Sequence, residues 1–185
     1  MKVTVFGASK AQLSQDASEQ ARKLGSLLGE ASHTVLTGGY TGTMEEVSRG
    51  ANEAGGWVIG ITCDEIEAYR PGGANEWVQE EIHCSTLRER ILKLIEESDA
   101  AIALPGGIGT LTEVSLMWNH LLTGAIRPRP LILVGPGWKA TFDRFFQAFD
   151  EYVSQNRRAW VTFAPTVEEA IQILNKQKVG GSGKE

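Results

Sequence analysis

The sequence predicts an α/β protein, a single Rossmann-like domain with a doubly wound, mostly parallel sheet and helices on both faces. Short apolar runs alternate along the chain with longer segments in which apolar residues recur at helical spacing. Strands joined by helices in this way form a mostly parallel sheet covered on both faces, and right-handed crossovers make it doubly wound. A length of 185 residues suits one domain with a sizeable buried core.

Strands are predicted where short, mostly apolar runs lie between glycines or polar residues. The first begins at the start of the chain, and the most apolar one directly precedes a Pro-Gly-Gly turn. The predicted strands, in chain order, are Lys2–Phe6, Thr34–Thr37, Trp57–Ile61, Glu81–Cys84, Ala100–Leu104, Pro130–Val134 and Val161–Phe163.

Helices are predicted where apolar residues are spaced three or four positions apart. Ala17, Ala21, Leu24 and Leu28 give this spacing in the first helix, and Gly55-Gly56 ends the second. The predicted helices, in chain order, are Ser14–Glu30, Met44–Ala54, Thr86–Glu97, Thr110–Leu122, Trp138–Tyr152 and Thr166–Lys176.

Two segments lack a periodic pattern. Thr62–Trp77 is predicted to be a long loop, and loops of that length in compact domains are often functional. Within it, Tyr69 and Arg70 would either close over a bound ligand or lie on a mobile surface. The glycine-rich residues 177–185 are predicted to be a disordered tail, so that the Rossmann-like domain spans residues 1–176.

Composition and charge exclude several classes of protein. A net charge of -5 makes the chain a poor candidate for binding nucleic acid, which requires clustered Lys and Arg. Cys63 and Cys84 lack the spacing of a disulfide framework or a zinc site. The opening run Met1–Phe6 is too short for the core of a signal peptide, and no apolar stretch is long enough to cross a bilayer. We therefore expect a cytoplasmic protein without a nucleic-acid or membrane partner.

Three glycine-rich loops follow predicted strands, at residues 7–9, 38–43 and 105–110. In a parallel sheet all three would project from the same edge, where glycine lets a ligand approach the main chain closely. The helix after the third loop directs unpaired amides and a positive dipole end toward that edge, which suits a phosphate. Alternatively, each glycine only makes a tight turn. The predicted phosphate- and substrate-binding residues are Gly7, Ser9, Gly38, Gly39, Thr43, Gly106, Gly107, Gly109 and Thr110.

Two common nucleotide-binding motifs do not fit these loops. Residues 107–112 lack the third glycine of the dinucleotide-binding GxGxxG motif. Gly183-Lys184 resembles the end of a P-loop, but no Ser or Thr follows it and no strand or helix frames it. The sequence therefore disfavours a dehydrogenase and an NTPase.

Glu113 and Arg90 are the charged candidates for catalysis. Glu113 lies about one turn into the helix that follows the third loop, where it would either favour the helix start or act on a bound ligand. Arg90 lies on the preceding predicted helix, two residues from Arg88, so that at most one of the two arginines faces the ligand. The alternative for both arginines is a solvated charged face.

At this point the sequence resembles a known family. Pro105–Glu113 matches PGGxGTxxE, the signature of the LOG family of cytokinin-activating phosphoribohydrolases, which are often mislabelled lysine decarboxylases. Arg90, followed by Ser98-Asp99-Ala100 and an apolar strand, falls at the position of the family's arginine. The resemblance extends over roughly residues 3–134 and includes the second glycine block.

The resemblance implies hydrolysis of a nucleoside 5'-monophosphate to free base and ribose 5-phosphate, with no metal or other cofactor. It also implies a homodimer or larger assembly with sites near the subunit interface. In this scheme Glu113 stabilises the cation that develops on the ribose and positions or deprotonates water, while Arg90 orients Glu113 or binds a ligand oxygen. The glycines of the third loop and Thr110 hold the phosphate.

The second glycine block departs from the family pattern at Tyr40 and Glu45, where the family often has glycine. The departures leave the base open, with AMP as plausible a substrate as a cytokinin riboside monophosphate. This block also resembles a branch of molybdenum-cofactor carriers, so a non-catalytic carrier of a nucleotide or of that cofactor is the alternative function. A PLP-dependent decarboxylase is disfavoured because no lysine lies in a glycine loop.

Overall fold

The computed structural model describes residues 1–9 and 12–180 and contains one sheet of seven parallel strands. The strand order is β4-β3-β2-β1-β5-β6-β7, with every neighbouring pair parallel. The predicted Rossmann-like, doubly wound sheet is therefore confirmed. The strands are β1 Lys2–Phe6, β2 Thr34–Thr37, β3 Trp57–Cys63, β4 Glu80–Cys84, β5 Ala100–Ala103, β6 Leu131–Val134 and β7 Thr162–Ala164.

Eight helices lie between or after the strands in the described part of the chain. Side-chain oxygens cap three of them: Ser14 accepts from the amide of Ala17, Thr86 and Glu89 form a reciprocal capping box, and Thr166 accepts from the amide of Glu169. The helices are α1 Gln15–Glu30, α2 Thr43–Glu53, α3 Asp64–Tyr69, α4 Leu87–Glu96, α5 Ile108–Thr123, α6 Pro136–Ala148, α7 Gln155–Arg158 and α8 Val167–Gly180.

The sheet has an apolar core on each face. On one face α1, α2 and α8 pack against the strands through residues such as Leu24, Val47 and Leu174. On the other face α4, α5 and α6 contribute a second core that includes Leu94 and Met117. Both layers are required because parallel strands are apolar on both sides.

Several predicted element boundaries differ from the structure. The segment Thr62–Trp77, predicted as a loop, contains the end of β3 and the six-residue helix α3. Only Ile66 and Tyr69 give α3 large apolar side chains, which is too few to make a periodic pattern. Its first turn carries three acidic residues, which favour a helix start.

The remaining differences lie in the second half of the chain. Helix α6 ends at Ala148 rather than at Tyr152, and the short α7 that follows was not predicted. Helix α8 continues to Gly180, so the predicted start of the disordered tail at residue 177 falls within a helix. Residues 181–185 of that predicted tail lie outside the described residues. None of the described helices has the length and apolar character needed to cross a bilayer.

Helices α1 and α2 approach each other at backbone distance. A Cβ atom added to Gly25 would lie 2.1 Å from the carbonyl oxygen of Val47 and 2.8 Å from the nitrogen of Ala51. A Cβ on Gly50 would lie 1.9 Å from the carbonyl oxygen of Arg22. Since the opposing atoms are backbone, no side chain can move to make room.

We expect Gly25→Ala to lower the free energy of unfolding by about 1–3 kcal/mol, because the added methyl overpacks the α1–α2 contact. Urea unfolding monitored by circular dichroism measures this change. Gly137→Ala in α6 is the matched control, since its Cβ would meet no atom within 4 Å. If the two variants are equally stable, the close helix contact does not constrain the fold.

Candidate active site

A cavity of about 440 Å³ opens at the carboxyl edge of the sheet, beside the ends of β1 and β5. The strand order reverses between these two strands, which is where open α/β sheets bind ligands. The cavity brings together the predicted catalytic pair and four of the nine predicted binding residues. These six residues are Gly7, Ser9, Arg90, Gly109, Thr110 and Glu113.

Arg90 and Glu113 form a buried ion pair between α4 and α5. The Nη1 atom of Arg90 lies 3.8 Å from Oε1 of Glu113, and the two residues are 4% and 9% exposed. Arg88 is exposed on the same helix, in agreement with the prediction that only one of the two arginines faces inward. The sequence therefore identified two side chains that the fold places in contact.

Three further contacts fix the Arg90 guanidinium. Its Nε donates a hydrogen bond of 2.7 Å to the carbonyl oxygen of Ile61 at the end of β3. Its Nη2 lies 3.8 Å from the sulfur of Met44, and its Cζ lies 5.5 Å from the centre of the Tyr40 ring. Because these contacts come from a strand, a helix and a loop, the guanidinium has little freedom to move away from Glu113.

Burial raises the pKa of Glu113 from its ordinary value of 4.5 to about 7, and the charge of Arg90 opposes this shift. The carboxyl group is therefore near half-protonated at neutral pH. A group in that state can both accept and release a proton, which is what general acid–base chemistry requires.

Gly38 and Gly39 lie beside this pair but do not line the cavity. A Cβ on Gly38 would lie 1.8 Å from Nη2 of Arg90 and 2.4 Å from the sulfur of Met44. Gly39 has a φ of +76°, and its carbonyl oxygen accepts hydrogen bonds from the backbone and side chain of Asn75. The first glycine gives clearance to the arginine and the second makes a tight turn.

The start of α5 forms another wall of the cavity. The helix begins two residues before the predicted start, with Gly107 as its N-cap, and no side chain caps it. Thr110 therefore lies within the first turn of the helix and does not cap it. Because the first-turn amides of a helix have no partner within it, they are available to an anion.

Close contacts hold this turn in shape. A Cβ on Gly106 would lie 2.1 Å from the hydroxyl oxygen of Thr110, whereas Gly107 and Gly109 have open space at that position. Thr110 is 2% exposed. Gly106 therefore permits the packing of Thr110, and Gly107 and Gly109 leave room for a ligand.

Gly7 and Thr43 connect the loop after β1 to α2. A Cβ on Gly7 would lie 2.9 Å from the Cβ of Thr43, and the amide of Thr43 donates to the carbonyl oxygen of Ala8. Thr43 is buried and is absent from the cavity wall. Its position supports the loop that carries Gly7 and Ser9.

Several residues of the cavity wall were not among the predicted site residues. Tyr40 is one of them: its hydroxyl accepts a 2.7 Å bond from the amide of Cys63 and donates to the carbonyl oxygen of Cys63. Burial raises the pKa of Tyr40 to about 12, so the hydroxyl stays protonated. In the sequence, the only sign that Tyr40 belongs to the site is that it replaces a glycine of the family pattern.

The mouth of the cavity is apolar. Tyr69, Leu87 and Ile108 contribute to its lining and are 84%, 40% and 80% exposed. Arg70, at the end of α3, also lines the cavity, and its Nη1 donates a 2.7 Å hydrogen bond to the carbonyl oxygen of Ser9.

One group of side chains in the described ranges has the composition of a metal site. Atoms of Glu67, Glu81 and His83 lie within 4.8 Å of one another beside β4. Both ring nitrogens of His83 already have protein partners, Nδ1 with the Thr62 hydroxyl at 2.9 Å and Nε2 with Asp64 at 2.8 Å. These contacts account for the cluster without an ion.

The chain is similar to known proteins over most of its length. Residues 1–126 match the SLOG cluster4 family. The chain is 31% identical to the cytokinin riboside 5'-monophosphate phosphoribohydrolase LOG2 of Arabidopsis thaliana over 77% of this chain and 67% of that protein. It is 31% identical to the cytokinin riboside 5'-monophosphate phosphoribohydrolase of Mycobacterium tuberculosis over 64% of this chain and 62% of that protein.

The fold is similar to that of a solved binding protein. The structure of the molybdenum cofactor binding protein from Rippkaea orientalis superposes with a TM-score of 0.74 and 25% sequence identity. The superposition covers 95% of each chain. Proteins similar to this chain thus include both hydrolases and a cofactor-binding protein.

The raised pKa of Glu113 makes stability depend on pH. Because the folded-state pKa of about 7 exceeds the ordinary value, this group stabilises the fold fully below about pH 4.5, and the contribution is lost as pH rises to about 7. We expect the free energy of unfolding of the wild type to fall relative to that of Glu113→Gln across this range. Urea unfolding at several pH values measures the difference.

Glu151→Gln, which replaces an exposed carboxylate, is the control for this measurement. A difference between wild type and Glu113→Gln that does not change with pH would contradict the raised pKa.

Proposed function

The chain belongs to the SLOG cluster4 family and is a relative of the LOG enzymes, and from this membership we propose that it hydrolyses the N-glycosidic bond of a nucleoside 5'-monophosphate. The products are the free base and ribose 5-phosphate. The observation that carries the proposal is the buried Arg90–Glu113 pair, which faces the same cavity as the start of α5.

The phosphate is assigned to the start of α5. The first-turn amides there, the positive end of the helix dipole and the open space at Gly107 and Gly109 all favour a bound anion. Glu113 lies five residues beyond Ile108, about 7.5 Å along the helix axis. This separation supports a ribose lying between the phosphate and the carboxylate.

Cleavage requires a group that stabilises positive charge on the ribose and manages one proton. As the C1'–N bond breaks, its electrons leave with the base, and the ribose gains oxocarbenium character. Ionised Glu113 stabilises that charge and accepts a proton from the water whose oxygen bonds to C1'. The proton then passes to the departing base, which regenerates the carboxylate.

Arg90 acts as the positioning residue for Glu113. Its charge lowers a carboxyl pKa that burial alone would raise further, so that an ionised fraction persists at neutral pH. The contacts of the guanidinium to Ile61, Met44 and Tyr40 hold it in place for this task.

The apolar mouth of the cavity supports two further parts of the proposal. Exposed Tyr69, Leu87 and Ile108 offer flat and aliphatic surface to a base, whether adenine in AMP or the substituted purine of a cytokinin riboside monophosphate. An exposed apolar patch of this kind is also typical of a subunit interface, which supports a homodimer or larger assembly.

A second candidate function is a carrier that binds a phosphorylated cofactor without cleaving it. The similarity in fold to the molybdenum cofactor binding protein favours this alternative. A carrier would use the same glycine loops, bind its ligand tightly and release no base.

We expect the purified protein to release adenine from AMP, and Glu113→Gln to lower kcat by about 100-fold or more because the proton acceptor is lost. Chromatographic detection of free base over a panel of nucleoside monophosphates, including cytokinin riboside monophosphates, measures this activity. Glu151→Gln is the matched control. Absence of base release from every member of the panel, together with tight binding of molybdopterin by calorimetry, would favour the carrier instead.

We expect Gly38→Ala to reduce kcat by about tenfold or more, because the new methyl group displaces the Arg90 guanidinium from Glu113. Initial rates with AMP measure the effect, and circular dichroism verifies that the variant is folded. Gly137→Ala serves as the control for adding a methyl group to a glycine remote from Arg90. Wild-type rates for Gly38→Ala would refute the clearance role of this glycine.

A further inference from the structure

The charges in the cavity do not balance once a phosphate is bound. A phosphate monoester carries between one and two negative charges at neutral pH, about -1.5 to -2. Of the described residues that line the cavity, only Arg70 and Arg90 are cations. Among the described cavity residues, only these two arginines could pair with the phosphate.

Arg90 already has protein partners for its hydrogen bonds and its charge. It is 4% exposed, its Nε is bonded to the carbonyl oxygen of Ile61, and its charge faces the carboxylate of Glu113. Moving it to a phosphate would break the buried ion pair with Glu113 and the hydrogen bond to Ile61, which is unfavourable.

Arg70 is available. It is exposed at the end of α3, and within the described residues its side chain donates one hydrogen bond, from Nη1 to the neutral carbonyl oxygen of Ser9. No carboxylate of the described residues lies within ion-pair distance of it. A guanidinium has five N–H donors, so most of its hydrogen-bonding capacity is open to a ligand.

The bond to Ser9 also places Arg70 on the side of the cavity where the phosphate is assigned. Ser9 follows β1, Thr110 follows β5, and these two strands are neighbours in the sheet. The side chains of Arg70, Ser9 and Thr110 line one cavity. Arg70 and the start of α5 thus line the same cavity.

We propose that Arg70 binds the phosphate of the substrate, exchanging its bond to the Ser9 carbonyl for charge-assisted bonds to phosphate oxygens. The exchange is favourable because bonds from a guanidinium to a phosphate are stronger than a bond to a neutral carbonyl, and the fork of the guanidinium matches two phosphate oxygens. This inference rests on the proposed placement of the phosphate at α5. It adds the cation that the helix start lacks and makes Arg70 selective for 5'-phosphorylated ligands over nucleosides.

The test compares AMP with adenosine, which differ only in the phosphate. Calorimetry is performed in the Glu113→Gln background, so that the ligand is not consumed. We expect Arg70→Gln to weaken AMP binding by about tenfold or more and to leave adenosine binding unchanged. Arg70→Lys keeps the charge but lacks the forked guanidinium, so we expect its affinity for AMP to lie between that of the protein with Arg70 and that of Arg70→Gln.

Arg88→Gln is the matched control, since it removes an exposed arginine of α4 that does not line the cavity. Equal AMP affinity for the Arg70→Gln and Arg88→Gln proteins would overturn the assignment. An equal loss of affinity for AMP and adenosine would also overturn it, because Arg70 would then act on the base, the ribose or the shape of the site. Thermal melting of each variant verifies that it is folded.

The outcome for the proposed hydrolase is separate. If AMP binding depends on Arg70 while the protein with an intact Glu113 releases no base, the phosphate site stands and the hydrolase proposal fails. If base is released and the Michaelis constant for AMP is the same in wild type and Arg70→Gln, the hydrolase stands and Arg70 has no part in it.

Discussion

Arg90 and Glu113 are buried together at the carboxyl edge of the sheet, where each charge is costly without the other. The surrounding structure is arranged around that constraint. The carbonyl oxygen of Ile61 accepts from the guanidinium, the Tyr40 ring lies beside it, and Gly38 leaves the space in which it sits. The ion pair joins α4 to α5, so the position of the carboxylate is set by the packing of two helices against one face of the sheet.

The topology of the sheet supplies the other half of the site. Because β1 lies between β2 and β5, the loops that follow these strands meet although they are far apart in sequence. The loop after β1 brings Ser9 to the cavity, and the loop after β5 brings the start of α5. The proposed phosphate site and a carboxylate of raised pKa thus lie in one cavity.

Sequence patterns predicted the strands and most helices well, since apolar spacing records which faces are buried. They also identified Arg90 and Glu113 through a motif whose spacing reflects the fold. They did not separate the functions of the glycines. Gly38 and Gly109 are both glycines of predicted loops. A Cβ added to Gly38 would meet the Arg90 guanidinium, whereas a Cβ added to Gly109 would meet open space. The difference lies in the atom opposite each glycine, which is contributed by a distant part of the chain. The same limit applies to Arg70, whose partner Ser9 is 61 residues away.

The free-energy cost of burying the Glu113 carboxyl group favours the proposed hydrolase over a carrier. A well-packed apolar pair at the α4–α5 contact would stabilise the fold as well as an ion pair or better, and 3.8 Å is a long separation for a pair kept only for stability. A pKa near 7 means that ionising Glu113 at neutral pH works against folding. A carrier gains nothing from such a group beside an anionic ligand, since a carboxylate repels phosphate. A hydrolase gains a proton acceptor matched to neutral pH and a charge that stabilises the oxocarbenium ion. The buried pair therefore supports the proposed bond cleavage over the carrier alternative.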